Sequence, residues 1–137
     1  MSTRCFIGTR NNDGTIHAIY CHFDGYIECV GETLFKHYQD PDKIRKLING
    51  GDISMLDERI DAPKGHSFES PVKGCTVFYG RDRGVEGTEA KIFVSTGNFV
   101  RAAMNSWAEF TYLYQCDEWT VLEDFKSLEE SLEKCQV

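Results

Sequence analysis

The sequence lacks the features of a membrane protein, a secreted protein or a duplex DNA-binding protein. No run of eighteen apolar residues occurs, and the N-terminus enters a strand-like pattern without an apolar leader. The net charge is −7, whereas duplex DNA binding requires a basic face that neutralises phosphates. We therefore expect a soluble cytoplasmic protein without a membrane or duplex nucleic-acid partner.

Paired cysteines of the C-x-x-C type are also missing, although the chain has six cysteines. Apolar residues make up 41% of the chain, enough for an ordinary core, so we expect free thiols in a reducing compartment rather than a disulfide framework. One conceivable zinc set matches no common finger spacing: Cys21, His22, Cys29 and His37. No metal or other cofactor is predicted.

Catalytic motifs are absent as well. The sequence contains no G-x-S-x-G, H-E-x-x-H or kinase-like set, and its four histidines are scattered. A Cys–His nucleophile built on Cys21 or Cys75 remains an alternative that no spacing supports. We therefore expect a binding protein rather than an enzyme.

The order of predicted elements indicates an α+β fold. The 137 residues suit one globular domain, 1–137. Alternating strands over 4–10 and 15–22 flank Asp13-Gly14, which is typical of a tight β-hairpin turn. A second hairpin is predicted over 110–114 and 119–122. Further strands are predicted over 75–79 and 90–94, so the sheet is expected to be antiparallel and built from hairpins.

Three or four helices are expected to pack on this sheet. The apolar spacing predicts a helix over about 27–39 and another over 96–107. Between them, Asp40 and Pro41 are suited to begin a helix that ends near residue 49. Acidic residues and apolar positions alternate after Asp124 in the pattern of an amphipathic C-terminal helix. Residues 52–74 have no periodicity and are predicted to form a long loop, or a loop with one short turn.

The negative charge is concentrated at the C-terminal end. Residues 117–137 hold seven acidic residues against two lysines, a net charge of −5, which leaves −2 for residues 1–116. The body of the chain is therefore nearly neutral and can hold a local positive pocket. A small phosphorylated ligand is compatible with this distribution.

The tract over residues 20–26 is the first candidate binding site. It combines rings, an imidazole and a carboxylate around a turn: Tyr20, His22, Phe23, Asp24 and Tyr26. One interpretation is a ligand rim whose aromatic rings stack on a base while the polar groups make hydrogen bonds. The other is a strand end with aromatic residues in the core and ordinary turn chemistry at Asp24. Both stay open.

Residues 79–84 are the second candidate, and we interpret residues 80–84 as a charged loop. Arg81 and Arg83 stand between glycines, follow Tyr79, and can present forked donors to a phosphate. The alternative is a solvated loop in which Asp82 pairs with an arginine. The tract is not a P-loop, because no Gly-Lys-Ser/Thr follows.

A third candidate is the start of the helix predicted over 96–107. Asn98 and Arg101 lie near its first turn, where unpaired backbone amides attract anions. Simple helix capping is the competing explanation.

Residues 19–26, together with 30–34, 37–38 and 79–84, resemble small bacteriophage and prophage proteins, and specifically the first type of phage Thoeris anti-defence proteins. The resemblance covers most of residues 4–94. It implies a protein that sequesters cyclic ADP-ribose isomers, and cyclic oligonucleotides in some members, without degrading them. It also implies a homo-oligomer, hexameric in the family, in the cytoplasm of an infected bacterial cell.

The resemblance implies a nucleotide ligand, and the types of side chain present indicate which residues could bind it. Arg81, Arg83 and Arg101 suit the phosphates, whereas Tyr20, Phe23, Tyr26 and Tyr79 suit the adenine face. Two alternatives remain. The acidic C-terminal segment also suits a phage inhibitor that binds a host defence protein directly, in the manner of an anti-CRISPR or a nucleic-acid mimic. The third hypothesis is a small hydrolase of a cyclic nucleotide.

Overall fold

A mixed β-sheet forms the centre of the computed structural model, which describes residues 3–122. Seven strands contribute to it: β1 (Cys5–Arg10), β2 (Ile16–Cys21), β3 (Ile53–Met55), β4 (Val77–Phe78), β5 (Lys91–Phe93), β6 (Phe110–Gln115) and β7 (Glu118–Leu122). The helices are a π-helix (Ile27–Gly31), α1 (Glu32–His37), α2 (Pro41–Asn49), α3 (Tyr79–Arg83) and α4 (Thr96–Asn105). The predicted α+β class is confirmed.

The strand order is β4-β3-β2-β1-β6-β7, and β5 pairs with β2. Four pairings are antiparallel, including the two predicted hairpins β1–β2 and β6–β7. The other two pairings are parallel: β1 with β6, and β2 with β3. The sheet is therefore not built from hairpins alone, because β1 joins the two halves of the chain side by side.

Both hairpin turns contain residues with positive φ. Gly14 has a φ of 89°, and Asp13 Oδ1 accepts the Thr15 amide hydrogen bond at 2.9 Å. At the second turn Cys116 and Asp117 both have positive φ, at 53° and 62°. Positive φ at both central residues matches the right-handed twist of the flanking strands.

Helices α1 and α2 pack on one face of the sheet and form a large apolar core with it. Ile7, Ile19 and Trp119 of the sheet pack there with residues of α1 and α2. Buried polar groups are paired: the Trp119 indole N–H donates to the Tyr38 carbonyl at 2.7 Å. Tyr38 donates its hydroxyl to the Asp57 carbonyl at 2.6 Å, and burial raises its pKa to about 12. The core is thus anchored by directional bonds as well as by apolar burial.

Helix α4 covers the opposite face. Its buried residues Phe99, Val100 and Ala103 pack on Phe6 and Leu113. The close approach depends on Gly8, because an added Cβ there would lie 3.0 Å from the Phe99 ring. Helices therefore lie on both faces of the sheet.

The predicted helix starts agree well with the structure. The Asp40 side chain accepts the Asp42 amide at 2.9 Å, and Pro41 is the first residue of α2. Ser95 caps α4 by accepting the Asn98 amide at 3.1 Å. The helix predicted over about 27–39 begins as a π-helix and continues as α1. These elements are confirmed apart from that first turn.

Two predictions for the middle of the chain were wrong. The supposed long loop over 52–74 contains β3, and residues 80–83 of the supposed charged loop belong to α3. The Asp82 side chain lies within this helix and accepts the amide hydrogen bond of the N-cap residue, Phe78, at 2.8 Å. Gly84 ends the helix at a φ of 76°. The predicted C-terminal helix lies outside the described residues. Within residues 3–122, no helix is long and apolar enough to cross a membrane.

Candidate functional site

Asp52 is the central residue of the site, because it binds a backbone amide of β2 that neither neighbouring strand binds. β5 pairs with residues 16–18 of that strand and β3 pairs with Cys21, so the amide between them needs another acceptor. Asp52 Oδ1 accepts the Tyr20 amide at 2.9 Å. Its backbone carbonyl accepts the Tyr79 amide at 3.1 Å. Asp52 therefore joins the two tracts that the sequence analysis treated separately.

Tyr20, His22 and Phe23 form a continuous row on one side of Asp52. The Tyr20 hydroxyl lies 2.7 Å from His22 Nδ1. The His22 and Phe23 ring centroids are 4.5 Å apart in an edge-to-face arrangement, and Phe23 is 43% exposed. Phe6 supports the row from below, with its centroid 5.7 Å from that of Tyr20. A planar ligand can reach this row because its outer end is open.

Tyr79 begins a second row that runs away from Asp52. Its ring centroid is 5.6 Å from that of Phe68, at an interplanar angle of 37°. The Arg83 guanidinium lies 4.7 Å from the centre of the Phe68 ring. Arg83 is exposed, so its stacking on Phe68 orients a cation that stays accessible to a ligand.

The position of Phe68 depends on buried His66. The Val72 amide donates to His66 Nδ1 at 3.0 Å, so this nitrogen carries no proton. The proton is then on Nε2, which donates to Asp82 Oδ2 at 3.1 Å. The side chains of His66 and Asp82 are 0% and 4% exposed. This buried pair fastens the 63–72 segment to α3.

Arg81 has a different environment from Arg83. Its Nη1 donates to the Ile60 carbonyl at 2.5 Å, its Nη2 to the Thr76 carbonyl at 3.0 Å, and its Nε to Asp82 Oδ1 at 2.8 Å. The guanidinium also covers the Phe78 ring at 4.5 Å. A ligand role for Arg81 stays a prediction, but its donors already bind the chain itself.

Charge and burial tune the groups around Asp52. Burial and the Arg4 charge both lower the pKa of His22, which favours the neutral imidazole. Burial raises the pKa of Tyr20 against the opposing effect of Arg4, and the Tyr79 phenol raises it further. Burial also raises the pKa of Asp52, although the Tyr20 amide and Lys91 lower it. The Tyr20–His22 pair therefore stays neutral and feels the charge of Arg4.

Asp24 and Tyr26 lie on the turn that follows the aromatic row. Asp24 has a φ of 58°, and its carbonyl accepts the Val30 amide at 3.2 Å. Tyr26 precedes the π-helix, and the neighbouring Cys29 thiol raises its pKa. Both side chains are exposed and belong to the π-helix side of the turn. The structure thus gives them turn roles without excluding a ligand.

Asn98 and Arg101 belong to another region. They lie exposed on α4, whose first turn is fastened to the end of β1 by a hydrogen bond from Arg10 to Thr96. Tyr20 is paired with Phe6, near the other end of that strand. The proposed anion site at the α4 start is therefore separate from the aromatic rows.

Sequence reasoning missed three residues of the site: Arg4, Asp52 and Phe68. Phe68 is the only aromatic residue between residues 39 and 77, a signal that could have drawn attention to it. Asp52 directly follows Gly50-Gly51, where a chain reversal presents a side chain at a strand edge. We use the term aromatic site below for six residues: Tyr20, His22, Phe23, Phe68, Tyr79 and Arg83.

The aromatic site offers ring faces and edges, a neutral hydrogen-bonding pair and an accessible guanidinium. This combination suits a ligand with a planar ring and an anionic group. In residues 3–122, no group of three or more His, Cys, Asp or Glu side chains is arranged to hold a metal ion. Comparison with protein-family models, curated proteins and solved structures gives no match.

Proposed function

We propose that this chain is a phage anti-defence protein that binds and sequesters cyclic nucleotide messengers of bacterial immunity without cleaving them. The ligands proposed are cyclic ADP-ribose isomers and, in addition, cyclic oligonucleotides. The resemblance of residues 19–26 and 79–84 to the first type of Thoeris anti-defence proteins supports this proposal. The proposed setting is the cytoplasm of the infected cell, with the chain acting as a homo-oligomer.

The observation that carries the proposal is the junction at Asp52. Asp52 Oδ1 accepts the Tyr20 amide and the Asp52 backbone carbonyl accepts the Tyr79 amide, so both tracts of the resemblance meet at this residue. Stacking on Tyr79 or Phe68 suits an adenine ring, and Arg83 suits a phosphate of the pyrophosphate. The Tyr20–His22 pair suits ribose hydroxyls, because a neutral imidazole and a phenol can both donate and accept.

Native mass spectrometry provides the test. The protein is measured alone and after incubation with cyclic ADP-ribose isomers and with cyclic di- and trinucleotides. We expect a multimer that gains whole ligands in simple ratio to its subunits. The ligand released by heat denaturation should have its original mass, because sequestration breaks no bond. Recovery of a cleaved product would identify a hydrolase instead.

Variants then locate the ligand. Arg83→Gln removes the accessible guanidinium, and Phe68→Leu removes the ring on which it stacks; both should weaken binding at least about tenfold. Arg45→Gln is the matched control, because Arg45 pairs with Asp42 on the exposed side of α2. Equal binding by all three variants would place the ligand elsewhere.

The direct inhibitor of a host defence protein gives a different result. A folded protein whose mass does not change with any messenger would favour it over sequestration. Charge reversal at Glu129, Glu130 and Glu133 would then abolish the inhibition, because a phosphate mimic depends on those carboxylates.

A further inference from the structure

Strand β5 forms part of the outer edge of the sheet. Its three residues, Lys91–Phe93, pair with residues 16–18 of β2. Within residues 3–122, no second strand pairs with β5, and no loop makes a backbone hydrogen bond to it. Alternate residues of an antiparallel strand direct their amide and carbonyl groups away from the partner strand. The outer side of β5 therefore presents backbone groups that another strand can bind.

Two side chains at this edge are apolar and exposed. Successive side chains of a strand point to opposite faces of the sheet. The Phe93 ring lies on the α4 face, with its centroid 5.4 Å from that of Phe99. Ile92 therefore lies on the opposite face, where it is 64% exposed, and Val94, directly after the strand, is 74% exposed. Exposed apolar side chains beside open backbone groups are typical of an edge that pairs with another chain.

We propose that β5 pairs in antiparallel orientation with β5 of a second copy of this chain, about a two-fold axis that passes through Ile92. The proposal rests on the homo-oligomer of the proposed function and specifies one of its interfaces. A two-fold contact needs only one surface, because the same residues meet on both copies. Backbone hydrogen bonds then continue the sheet from one copy into the other.

The charged residue of the strand selects the register. An axis at Lys91 would set this lysine opposite its own copy, which like-charge repulsion disfavours. An axis at Phe93 would extend the pairing to Ser95, whose side chain caps α4. An axis at Ile92 pairs all three strand residues, with Ile92 opposite Ile92 and Lys91 opposite Phe93. The strand is thus complementary to itself, which favours a second copy over an unrelated partner.

Opposite charges introduced at Ile92 test this register in the full chain. Ile92→Lys and Ile92→Glu each place two like charges at the axis, so either variant alone should show at least about a tenfold higher dissociation constant in sedimentation velocity. An equimolar mixture of the two variants should recover the association, because opposite charges then face each other across the axis. Ile92 is exposed, so both substitutions should leave the fold intact.

The matched control is Met104→Lys, which adds the same charge at an apolar residue that is 53% exposed on α4. This control should associate as the unaltered protein does. An assembly that persists in both Ile92 variants would overturn the interface but not the homo-oligomer, and so would a mixture that fails to recover the association. An unaltered protein that is monomeric at every concentration would overturn both, whereas its binding of messengers is measured separately.

Hydrogen exchange gives an independent measurement that needs no substitution. In the unaltered protein, amides of residues 91–94 should exchange more slowly at high than at low protein concentration, because association covers the open edge. Peptides from β1, which lies between β2 and β6, should exchange equally at both concentrations. Exchange of residues 91–94 that does not depend on concentration, while the mass does, would overturn the proposal.

Discussion

His66 donates through Nε2 to Asp82 Oδ2 at 3.1 Å, and both side chains are almost completely buried. The pair links an irregular segment to a short helix that the sequence did not predict. Since Phe68 lies on that segment and Arg83 on that helix, the His66–Asp82 bond sets the geometry of half of the aromatic site.

Replacement of His66 should destabilise the fold. His66→Ala leaves the Val72 amide without its acceptor, removes one of the hydrogen bonds to Asp82 Oδ2 and opens a cavity, so we expect a loss of about 3 kcal/mol in the free energy of unfolding. Urea denaturation measures this loss. Lys64→Ala, at an exposed position of the same segment, should stay within about 0.5 kcal/mol of the parent. Equal effects of the two substitutions would contradict a role for the buried pair.

Protonation of Asp82 should contribute to the loss of folding stability in acid. Burial raises its pKa, but the hydrogen bonds from Arg81, Phe78 and His66 outweigh that effect, and the pKa is lowered overall. A lowered folded-state pKa stabilises the protein above the unfolded value of about 3.9, and this stabilisation is lost as the pH falls through the folded value. Asp82→Asn should therefore flatten the loss of stability below about pH 4.

Thermal unfolding at a series of pH values measures the Asp82 effect. Asp117→Asn, at an exposed turn position, is the control and should keep the slope of the parent protein. An unchanged slope in Asp82→Asn would show that the buried carboxylate does not govern acid stability.

The two arginines of α3 should separate stability from binding. Arg81→Gln removes donors to the Ile60 and Thr76 carbonyls, so we expect it to cost about 2 kcal/mol of stability. Arg83→Gln should cost no more than about 0.5 kcal/mol and should weaken ligand binding instead. Denaturation and ligand titration on both variants check this division. A stable Arg81→Gln protein with lost binding would restore Arg81 as a ligand residue.

Two glycines with similar φ angles allow a test of crowding next to Asp52. Gly51 and Gly14 have φ values of 87° and 89°, but an added Cβ at Gly51 would lie 2.4 Å from the Thr88 carbonyl oxygen. No atom lies within 4 Å of the corresponding position at Gly14. We expect Gly14→Ala to cost about 1 kcal/mol through its backbone alone. Gly51→Ala should cost at least about twice as much in urea denaturation, because the neighbouring chain must move.

The titration of His22 reports on Arg4. Burial and the Arg4 charge both lower the pKa of His22, so Arg4→Gln should move that pKa upward, toward the ordinary value of about 6.5. Proton NMR of the imidazole signals over a pH series measures the change. Arg45→Gln alters a distant exposed charge and should leave the titration of His22 where it was.

The local elements of this protein could be predicted because each depends on neighbouring residues. Asp13-Gly14 specifies a turn, and Asp40 and Pro41 begin α2 through contacts within a few residues. Such signals survive in the sequence because the interacting groups are already close along the chain.

The arrangement of the candidate site could not be predicted from local sequence patterns. The tracts around Tyr20 and Tyr79 each stood out by composition, yet nothing in either tract shows that they meet. Asp52 brings them together from thirty-two residues after Tyr20. The different partners of Arg81 and Arg83 likewise depend on the carbonyls of Ile60 and Thr76, which only folding brings near the helix.

The sequence by itself determined the α+β class, the two hairpins, the start of α2 and the aromatic and basic composition of the binding tracts. Only the tertiary structure decided that β1 pairs with β6 in parallel, that Phe68 stacks on Tyr79, and that Arg81 binds the Ile60 and Thr76 carbonyls whereas Arg83 stacks on Phe68. The physical reason is separation along the chain. Contacts between distant residues are selected by the packing and hydrogen bonding of the whole core, and no local propensity records them.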